Sequence, residues 1–446
     1  MDFKLTLTVI FLVLFSSVRA QEEVTILDIR ECIDIALENN LTLRRSQLQR
    51  EGARIDYNQS RAQRLPNANL SGGYGLNFGR SIDPTTNDFI NREINTLNFG
   101  GNAGVVLFNG FNIHNTINRA ETSLEASEFD VEKATNDITL NIINNYLTVL
   151  FNSELLENAK YQLESSKNQL ERTKKLVASG ALPRTNELEL VSQVASDEVN
   201  LVNAQNNLDL AKLTLKQSML IPASQKVNVV TPDLDITMEE ADLSISVEQV
   251  YALALENQPE IRSADLKKES ALLGVRVAQS GISPSITAGA GFRTNYSDAF
   301  TLGTETDVAS QFENNLSKYL SLGIQIPIFN RLSVSSDIQR SKISLQQAEL
   351  NAIEQRNTLR QTIESAYNNA LAASKTYAAS ERRVEALEET FRSVENQYNL
   401  GAANFTDYQL ASNNLYQAKS DLIRAKFDFV FKKKLVDFYQ GKPLDL

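Results

Sequence analysis

The sequence contains very few of the residues from which metal sites, disulfides and most catalytic centres are built. Its 446 residues include one cysteine, Cys32, and one histidine, His114. A single cysteine excludes an internal disulfide, and a lone histidine without other ligands at metal spacing predicts no metal site. We therefore interpret Cys32 as a small buried helix residue and His114 as a surface or interface residue. No Ser-His-Asp set or clustered acid pair stands out, so the sequence predicts neither an enzyme nor a cofactor.

Long runs of basic residues are also absent, and so are long apolar runs beyond the first residues. The net charge is -11 and 22% of residues are charged, so nucleic acid is excluded as a partner. No segment after residue 20 approaches the ~20 consecutive apolar residues of a membrane helix. Residues 1–20 combine an apolar core with a small-residue site at Val18 and Ala20, which predicts a secretory signal peptide. A lipoprotein anchor would need a cysteine at the cleavage site, where Gln21 stands.

The rest of the chain reads as a tandem duplication. The segment DIALENNLTLR at 34–44 matches ALALENQPEIR at 252–262, and Gly180 corresponds to Gly401. Because these matches keep the same order and nearly the same offset, each half is predicted to be one structural unit. The predicted divisions are a signal peptide at 1–20, a first structural repeat at 21–222, an equatorial linker at 223–243, a second structural repeat at 244–440 and a C-terminal tail at 441–446.

Proline placement predicts very long helices. None lies between Pro84 and Pro183, or between Pro327 and Pro443, and an interior proline costs a helix about 3 kcal/mol. A helix from about residue 111 to 179 would be roughly 100 Å long. Heptad-like seams run through both intervals, and the second seam is the more hydrophobic. Their members are Leu163, Ser166, Leu170, Thr173 and Val177 in one copy and Val384, Leu387, Phe391, Val394 and Tyr398 in the other.

Between the helical parts of each copy, small or polar residues alternate with apolar ones, which predicts a pair of strands. The four predicted strands lie near 65–81, 96–108, 283–297 and 319–329. Aromatic residues along them resemble the belts of membrane barrels: Tyr74, Phe78, Phe292 and Tyr296. Four strands cannot close a barrel, because the smallest membrane barrels use about eight. The chain must therefore oligomerise if this sheet lies in a membrane, and a soluble four-stranded sheet is the alternative.

Both long helices are followed by a glycine turn, at Gly180 and at Gly401. Glycine ends a helix readily because it adopts the left-handed conformation without steric penalty. After the second turn, Thr406 and Gln409 have the spacing of a capping box for the next helix. After the first turn, Asn186 and its partner three residues later have that spacing one position out of register.

Taken in order, these features resemble the TolC-type outer-membrane efflux channels, the outer membrane factors. The segments that carry the resemblance are ALENN and ALENQ in the opening helices, Pro66 and Pro284 before the strands, LFNG and PIFN at strand ends, and the two glycine turns. The resemblance covers essentially the whole mature chain. It implies a mixed α and β membrane fold, in which a long α-helical coiled-coil barrel joins a trimeric transmembrane β-barrel with four strands per chain.

The resemblance also implies a function. The protein would be the exit duct of a tripartite efflux or type I secretion system in a Gram-negative outer membrane, extending into the periplasm. Substrates would pass through it passively from an inner-membrane transporter and a periplasmic adaptor. The implied partners are two further copies forming a homotrimer, the adaptor or membrane fusion protein, the inner-membrane efflux or secretion pump, and outer-membrane lipid.

In this family the helical turns form the periplasmic tip, where the tunnel narrows and the adaptor docks. The matching residues are Gly180, Thr185, Asn186, Gly401, Thr406 and Asp407. Asp407 matches one of the aspartates that form a narrow ring in the trimer, and the alternative is a solvated carboxylate favoured by the helix dipole. Leu410 occupies the family's second acidic position, and no arginine lies between Gly401 and Asp407. The contacts that hold the family's tip closed are therefore not assigned in detail to residues of this chain.

Two rival functions stay open at the level of sequence. The first is a periplasmic coiled-coil adaptor or structural spacer with a soluble sheet, and the second is a secreted enzyme, which the absence of a site disfavours. Within the channel class, drugs, metal ions and secreted polypeptides are all compatible cargoes, because the partner pump selects the cargo.

Overall fold

The computed structural model describes residues 25–82, 87–91, 93–222, 224–225, 227–231, 245–298 and 307–442. The predicted signal peptide, most of the predicted linker at 223–243 and residues 443–446 lie outside the described residues. The described part of the chain is mostly helical, with a small set of strands.

The elements of the first half begin with a short strand and two helices. They are β1 (Thr25–Leu27), α1 (Ile29–Asn39), α2 (Leu41–Ala62), β2 (Asn67–Asn77), β3 (Arg80–Ile82), β4 (Phe89–Asn91), β5 (Ile94–Phe108), α3 (Asn112–Ala178) and α4 (Arg184–Ser218). The second half contains β6 (Val227–Val229), α5 (Val247–Asn257), α6 (Pro259–Gln279), a 3-10 turn (Ser280–Ile282), β7 (Ser285–Ser297), α7 (Val308–Asn314), β8 (Ser317–Gln325), α8 (Ser333–Asn399) and α9 (Phe405–Tyr439).

Two of these helices are as long as the proline spacing predicts. α3 and α8 each contain 67 residues, which is roughly 100 Å at 1.5 Å per residue. Each is followed by a helix of 35 residues, α4 or α9. The prediction of long helices is therefore confirmed. The equal lengths agree with a duplicated chain, and the boundaries of the two repeats stay a prediction.

The chain divides into two compact units. One is formed by the described parts of Met1–Arg45, Glu132–Gln258 and Arg356–Leu446, and the other by those of Ser46–Val131 and Pro259–Gln355. The first unit contains both glycine turns, and the second contains the four-stranded sheet. Among the described residues, no helix combines the length and the apolar character needed to cross a membrane.

The four long strands form one antiparallel sheet in the order β2, β5, β7, β8. Its last strand stops at Gln325, short of the predicted end near Phe329, because Pro327 has no N–H to continue the ladder. Sequence analysis also missed two small sheets. β3 pairs with β4. β1 pairs in parallel with β6, and β6 lies within the segment 223–243 that the sequence predicts to be a linker.

The seam of the first helix is more deeply buried than that of the second, which reverses the ranking expected from hydrophobicity. Leu163, Ser166, Leu170 and Thr173 are all buried, whereas Val384 is the only buried member of the second seam. Contacts explain the difference, because α3 packs against α9 as well as against its own partner α4. Burial here depends on the number of neighbouring helices rather than on side-chain hydrophobicity.

Candidate functional site

Both glycine turns close their helix with the same hydrogen-bond pattern. At the end of α3, the N–H of Gly180 donates to the Val177 carbonyl at 3.0 Å and the N–H of Ala181 to the Leu176 carbonyl at 2.9 Å. At the end of α8, Gly401 and Ala402 repeat these two bonds at 3.1 and 2.8 Å. This is the Schellman motif, which requires a left-handed residue. The φ angles of Gly180 and Gly401 are +77° and +73°.

The helices that follow the turns begin differently. α4 begins after Pro183, which offers no side-chain cap, so Thr185 and Asn186 lie inside its first turn. α9 begins after Asn404, whose Oδ1 accepts a hydrogen bond from the backbone N–H of Asp407 at 2.8 Å. The predicted capping role of Thr406 is therefore wrong, because the capping residue lies two positions earlier and Thr406 is already helical.

Asp407 is exposed at the third helical position of α9. In that position a carboxylate interacts favourably with the N-terminal end of the helix dipole. Thr185 and Thr406 are exposed as well, and Asn186 is half-buried. Each of the predicted tip residues thus lies at or directly beside one of the two turns.

A hydrophobic cluster joins the two turns, and we call it the tip cluster. Its buried members are Leu163, Leu170, Leu190 and Val194 from α3 and α4, and Phe405 and Tyr408 from α9. Four half-buried side chains pack against it, namely Leu201, Phe391, Val394 and Tyr398. Because the members come from both helical hairpins, the cluster fixes one hairpin end against the other.

Stacked aromatic rings form the part of the tip cluster contributed by the second hairpin. The rings of Tyr398 and Tyr408 stack with centroids 5.0 Å apart, and Phe391 lies 5.6 Å from Tyr408. The Tyr408 hydroxyl reaches across to Ser165 on α3. Burial, followed by the nearby charge of Glu395, raises the pKa of Tyr408 to about 12, so this side chain is neutral at physiological pH.

Polar side chains continue the contact between the hairpins. Gln193 on α4 accepts a hydrogen bond from Gln409 on α9 and donates to Asn413 Oδ1 at 3.4 Å. Farther from the turns, the amides of Gln162 and Asn158 on α3 donate to hydroxyls of α9. The two hairpins are therefore connected by neutral hydrogen bonds over several helical turns.

Asp197 is a buried carboxylate in this contact region. It is 2% exposed and accepts hydrogen bonds from Ser166 Oγ at 2.6 Å and Gln193 Nε2 at 3.0 Å. Burial raises its pKa, and the two hydrogen bonds oppose that effect. Gln193 is the same residue that contacts Gln409, so the carboxylate is connected to the second hairpin. Sequence reasoning missed this residue.

The four-stranded sheet has one polar face and one apolar face, as its register shows. The polar face is formed by Asn67, Asn69, Ser71, Gly73 and Gly75 on β2, Thr96, Asn98, Gly100, Asn102 and Gly104 on β5, Thr287, Gly289, Gly291, Arg293 and Asn295 on β7, and Ser317, Tyr319, Ser321, Gly323 and Gln325 on β8. The apolar face includes Leu70, Tyr74, Leu97, Phe99, Val105, Ile286, Phe292, Tyr296, Leu320, Leu322 and Ile324, with Lys318 as its only charged member.

Aromatic residues lie toward both ends of the apolar face. Tyr74 and Tyr296 share a row near one end, where the rings of Phe99 and Phe292 also approach to 6.0 Å. At the other end, Phe108 contacts Phe111 edge to face. Aromatic residues at both ends of an apolar face are typical of membrane strands, and the four that the sequence analysis named lie toward one end.

Both outer edges of the sheet are unpaired among the described residues. β2 pairs only with β5, and β8 pairs only with β7, so each keeps a row of free backbone groups. Exposed apolar side chains accompany these edges: Leu70 is 73% exposed and Leu320 is 88% exposed. An unpaired backbone edge flanked by exposed apolar side chains is the kind of edge to which a further strand can pair.

Cys32 and His114 have the environments that the sequence analysis predicts for them. Cys32 is fully buried in α1, as predicted, and burial raises its pKa to about 12. His114 is exposed, with Nε2 3.3 Å from the Asn118 amide. The glycine-rich segment at 72–79 belongs largely to β2. Within the described residues, no three His, Cys, Asp or Glu side chains group as metal ligands.

Comparison with known proteins assigns this architecture. A family model described as outer membrane efflux protein matches residues 32–219 and 250–429. The chain is similar to the outer membrane protein TolC of Escherichia coli, with 24% identity over 405 residues that cover 89% of this chain and 78% of that protein. It is also similar to the outer membrane efflux protein BepC of Brucella suis, with 24% identity over 398 residues covering 89% and 81%.

A solved structure gives the same result for the fold. The outer membrane protein VceC from Vibrio cholerae superposes with a TM-score of 0.77 at 17% identity, covering 94% of this chain and 97% of that chain. At this identity the likeness establishes a common fold.

Proposed function

The chain belongs to the outer membrane efflux protein family, whose members are transporters rather than enzymes, and from this premise we propose that three copies form an outer-membrane exit duct. Each copy contributes four strands to one closed barrel, and the long helices continue as a tunnel. The duct passively conducts substrates that an inner-membrane pump delivers through a periplasmic adaptor. The observation that carries this proposal is the four-stranded sheet with one apolar face and two open edges.

The height of the apolar face fits a membrane. From Phe99 to Phe108 a strand rises roughly 30 Å at ~3.3 Å per residue. A tilt of ~40°, usual in membrane barrels, reduces this to about 23 Å, close to the ~25 Å apolar band of such barrels. The sheet cannot stand alone in lipid, because its unpaired edges would leave backbone groups without hydrogen bonds. Joining β8 of one copy to β2 of the next removes both edges.

Exposed apolar stripes on the helices support the same assembly. Leu41, Leu48 and Ile55 recur every seven residues along α2 and are 70%, 58% and 66% exposed. On α4, exposed apolar residues form two series with a spacing of 11 residues, one at 188, 199 and 210 and one at 191 and 202. Eleven residues are close to three helical turns, so the members of each series lie on one face of the helix. These residues are Leu188, Val191, Val199, Val202 and Leu210. Apolar stripes at these spacings are typical of helix contacts, here assigned to neighbouring copies.

Engineered disulfides test the assembly. Leu70 on β2 and Leu322 on β8 both lie on the apolar face at the open edges, and Cys32 is buried and does not interfere. With cysteines at both positions, oxidation is expected to give a covalent trimer on a denaturing gel. Because the register between copies is unknown, Leu320 and Ile324 are substituted in parallel. Each single-cysteine variant is the control, and the absence of covalent trimers for every pairing would contradict barrel closure.

The two glycine turns are proposed as the periplasmic tip, with Asp407 lining its constriction. Three carboxylates on one axis favour cations. Asp407→Ala is therefore expected to raise single-channel conductance or weaken block by divalent cations in planar bilayers. Glu187→Ala is the matched control, because Glu187 is an acidic residue in the first turn of α4. Equal effects of the two substitutions, or no effect of either, would rule out this role for Asp407.

A further inference from the structure

Arg293 is the only charged residue on the polar face of the four strands. It lies on β7, in register with Gly100 on one side and Ser317 on the other. The side chain is exposed, and it forms no ion pair with any described residue. The net charge of the chain is -11, yet the one charge on this face of the sheet is positive and has no acidic partner among the described residues.

The arginine lies in a concavity built from hydrogen-bond donors. This cavity has a volume of about 690 Å³, and its polar side chains include Arg293, Ser71, Ser317, Asn98, Asn295 and Asn315. No carboxylate is among its lining residues. Ser71 donates to the Gly100 carbonyl at 3.4 Å and Asn315 donates to the Asn295 carbonyl at 2.7 Å. The guanidinium, the Ser317 hydroxyl and the side-chain amides of Asn98 and Asn295 can donate hydrogen bonds to a ligand, and the guanidinium fork matches the geometry of a carboxylate or phosphate.

Glycine keeps the surface beside the arginine open. A Cβ at position 100 would lie 3.6 Å from both Cα and Cβ of Arg293 and 3.0 Å from the Phe292 carbonyl oxygen. Gly73 lines the same cavity from β2 and lies on the same face of the sheet as Arg293. Without side chains at these positions, a ligand can approach the guanidinium and the backbone directly.

We infer that this cavity is a binding site for small oxyanions, namely carboxylates and phosphates. The inference rests on the proposed function, because the polar face lines the lumen only when three sheets close into a barrel. Three copies of Arg293 then surround one conduit at the level where β8 begins. Charge-assisted hydrogen bonds to the guanidinium provide the attraction, and the neighbouring hydroxyls and amides orient the anion. An anionic cargo would therefore be retained briefly at this level of the barrel.

Lys318 provides a matched control. It pairs with Phe292, one residue along β7 from Arg293, so it lies at nearly the same level but on the apolar face. Arg293→Gln and Lys318→Gln remove the same charge from opposite faces of the sheet. If the polar face lines the lumen, only the first substitution changes the properties of the conduit.

The experiment titrates inorganic phosphate against single channels of the unaltered protein and both variants in planar bilayers. Phosphate is expected to reduce the conductance of the unaltered protein and of Lys318→Gln, whereas Arg293→Gln requires about tenfold more phosphate. Arg293→Gln is also expected to become more cation-selective in a salt gradient. Equal phosphate sensitivity of Arg293→Gln and the unaltered protein, or the larger effect in Lys318→Gln, would overturn the inference.

A second measurement separates this inference from the channel itself. The phosphorus NMR line width of inorganic phosphate is recorded with purified protein in detergent, where no conduction is needed. Broadening that is lost in Arg293→Gln and retained in Lys318→Gln supports the site. Absence of channels from every sample contradicts the proposed function, whereas absence of broadening contradicts the anion site.

Discussion

Tyr408 allows the packing between the two hairpins to be weakened in graded steps. It is 6% exposed, its ring stacks on Tyr398 at 5.0 Å, and its hydroxyl reaches Ser165 on the other hairpin. Tyr408→Phe removes only the hydroxyl and its polar interaction with Ser165, and an interaction of this kind is worth about 0.5–1.5 kcal/mol. Tyr408→Ala also removes the ring, and truncating a buried aromatic residue typically costs about 3–5 kcal/mol.

If the tip cluster separates when the tip opens, the free energy lost from the cluster raises the ratio of open to closed tips. Because ~1.4 kcal/mol is a factor of ten, a loss of ~3 kcal/mol raises the ratio of open to closed tips about a hundredfold. Tyr408→Phe should raise it by at most about tenfold. Single-channel recording in planar bilayers measures the open fraction directly. We expect the highest open fraction for Tyr408→Ala, an intermediate one for Tyr408→Phe and the lowest for the unaltered protein.

A buried aromatic residue away from the turns controls for general destabilisation. Phe429 is fully buried on α9, stacks on Tyr377 with centroids 6.1 Å apart, and lies roughly 30 Å farther along the helix. Phe429→Ala should lower the melting temperature without raising the open fraction. An unchanged open fraction in stable trimers of Tyr408→Ala, or equal opening by Phe429→Ala, would contradict a role of Tyr408 in holding the tip closed.

Two further predictions concern stability, measured by thermal unfolding in detergent. The raised pKa of Asp197 means that the folded chain binds this proton more tightly than the unfolded chain, so the burial penalty is present at neutral pH and is relieved as pH falls. Asp197→Asn is expected to raise the melting temperature at neutral pH and Ser166→Ala to lower it; a lower value for Asp197→Asn would contradict this. Gly401→Ala should cost about 1–2 kcal/mol through its left-handed φ alone, because nothing lies within 4 Å of the added Cβ, whereas Gly52→Ala inside α2 should be neutral or stabilising.

The long helices and the strands were predictable because they depend on local sequence rules. Proline is excluded from helix interiors, and alternation of side chains marks a strand whatever its partners are. The pairing of β1 with β6 was not predictable. Each strand has three residues and they are about 200 residues apart, so neither periodicity nor turn chemistry indicates the contact.

The two glycine turns were predicted and are present in the structure, whereas their role as a periplasmic tip stays a prediction. The residues that join the hairpins were missed. Asp197 follows Leu190 and Val194 at seam spacing, so a search for charged residues within the seam would have found it. Tyr408 was missed because its importance comes from contacts with the other hairpin. Helix periodicity shows that a side chain is buried, but it does not show which helix covers it.

The start of α9 contributes more to the contact between the turns than the start of α4 does. Asn404 caps this helix, and such a cap contributes about 1 kcal/mol, whereas Pro183 provides no side-chain cap for α4. Phe405 and Tyr408, in the first turn of α9, bury their rings in the tip cluster. A movement that withdraws this turn loses the aromatic packing at once, whereas a movement of the α4 start alone leaves most of that packing in place. Opening should therefore be controlled by a few residues of the second hairpin, and Asp407 lies between the two buried aromatic residues in the sequence.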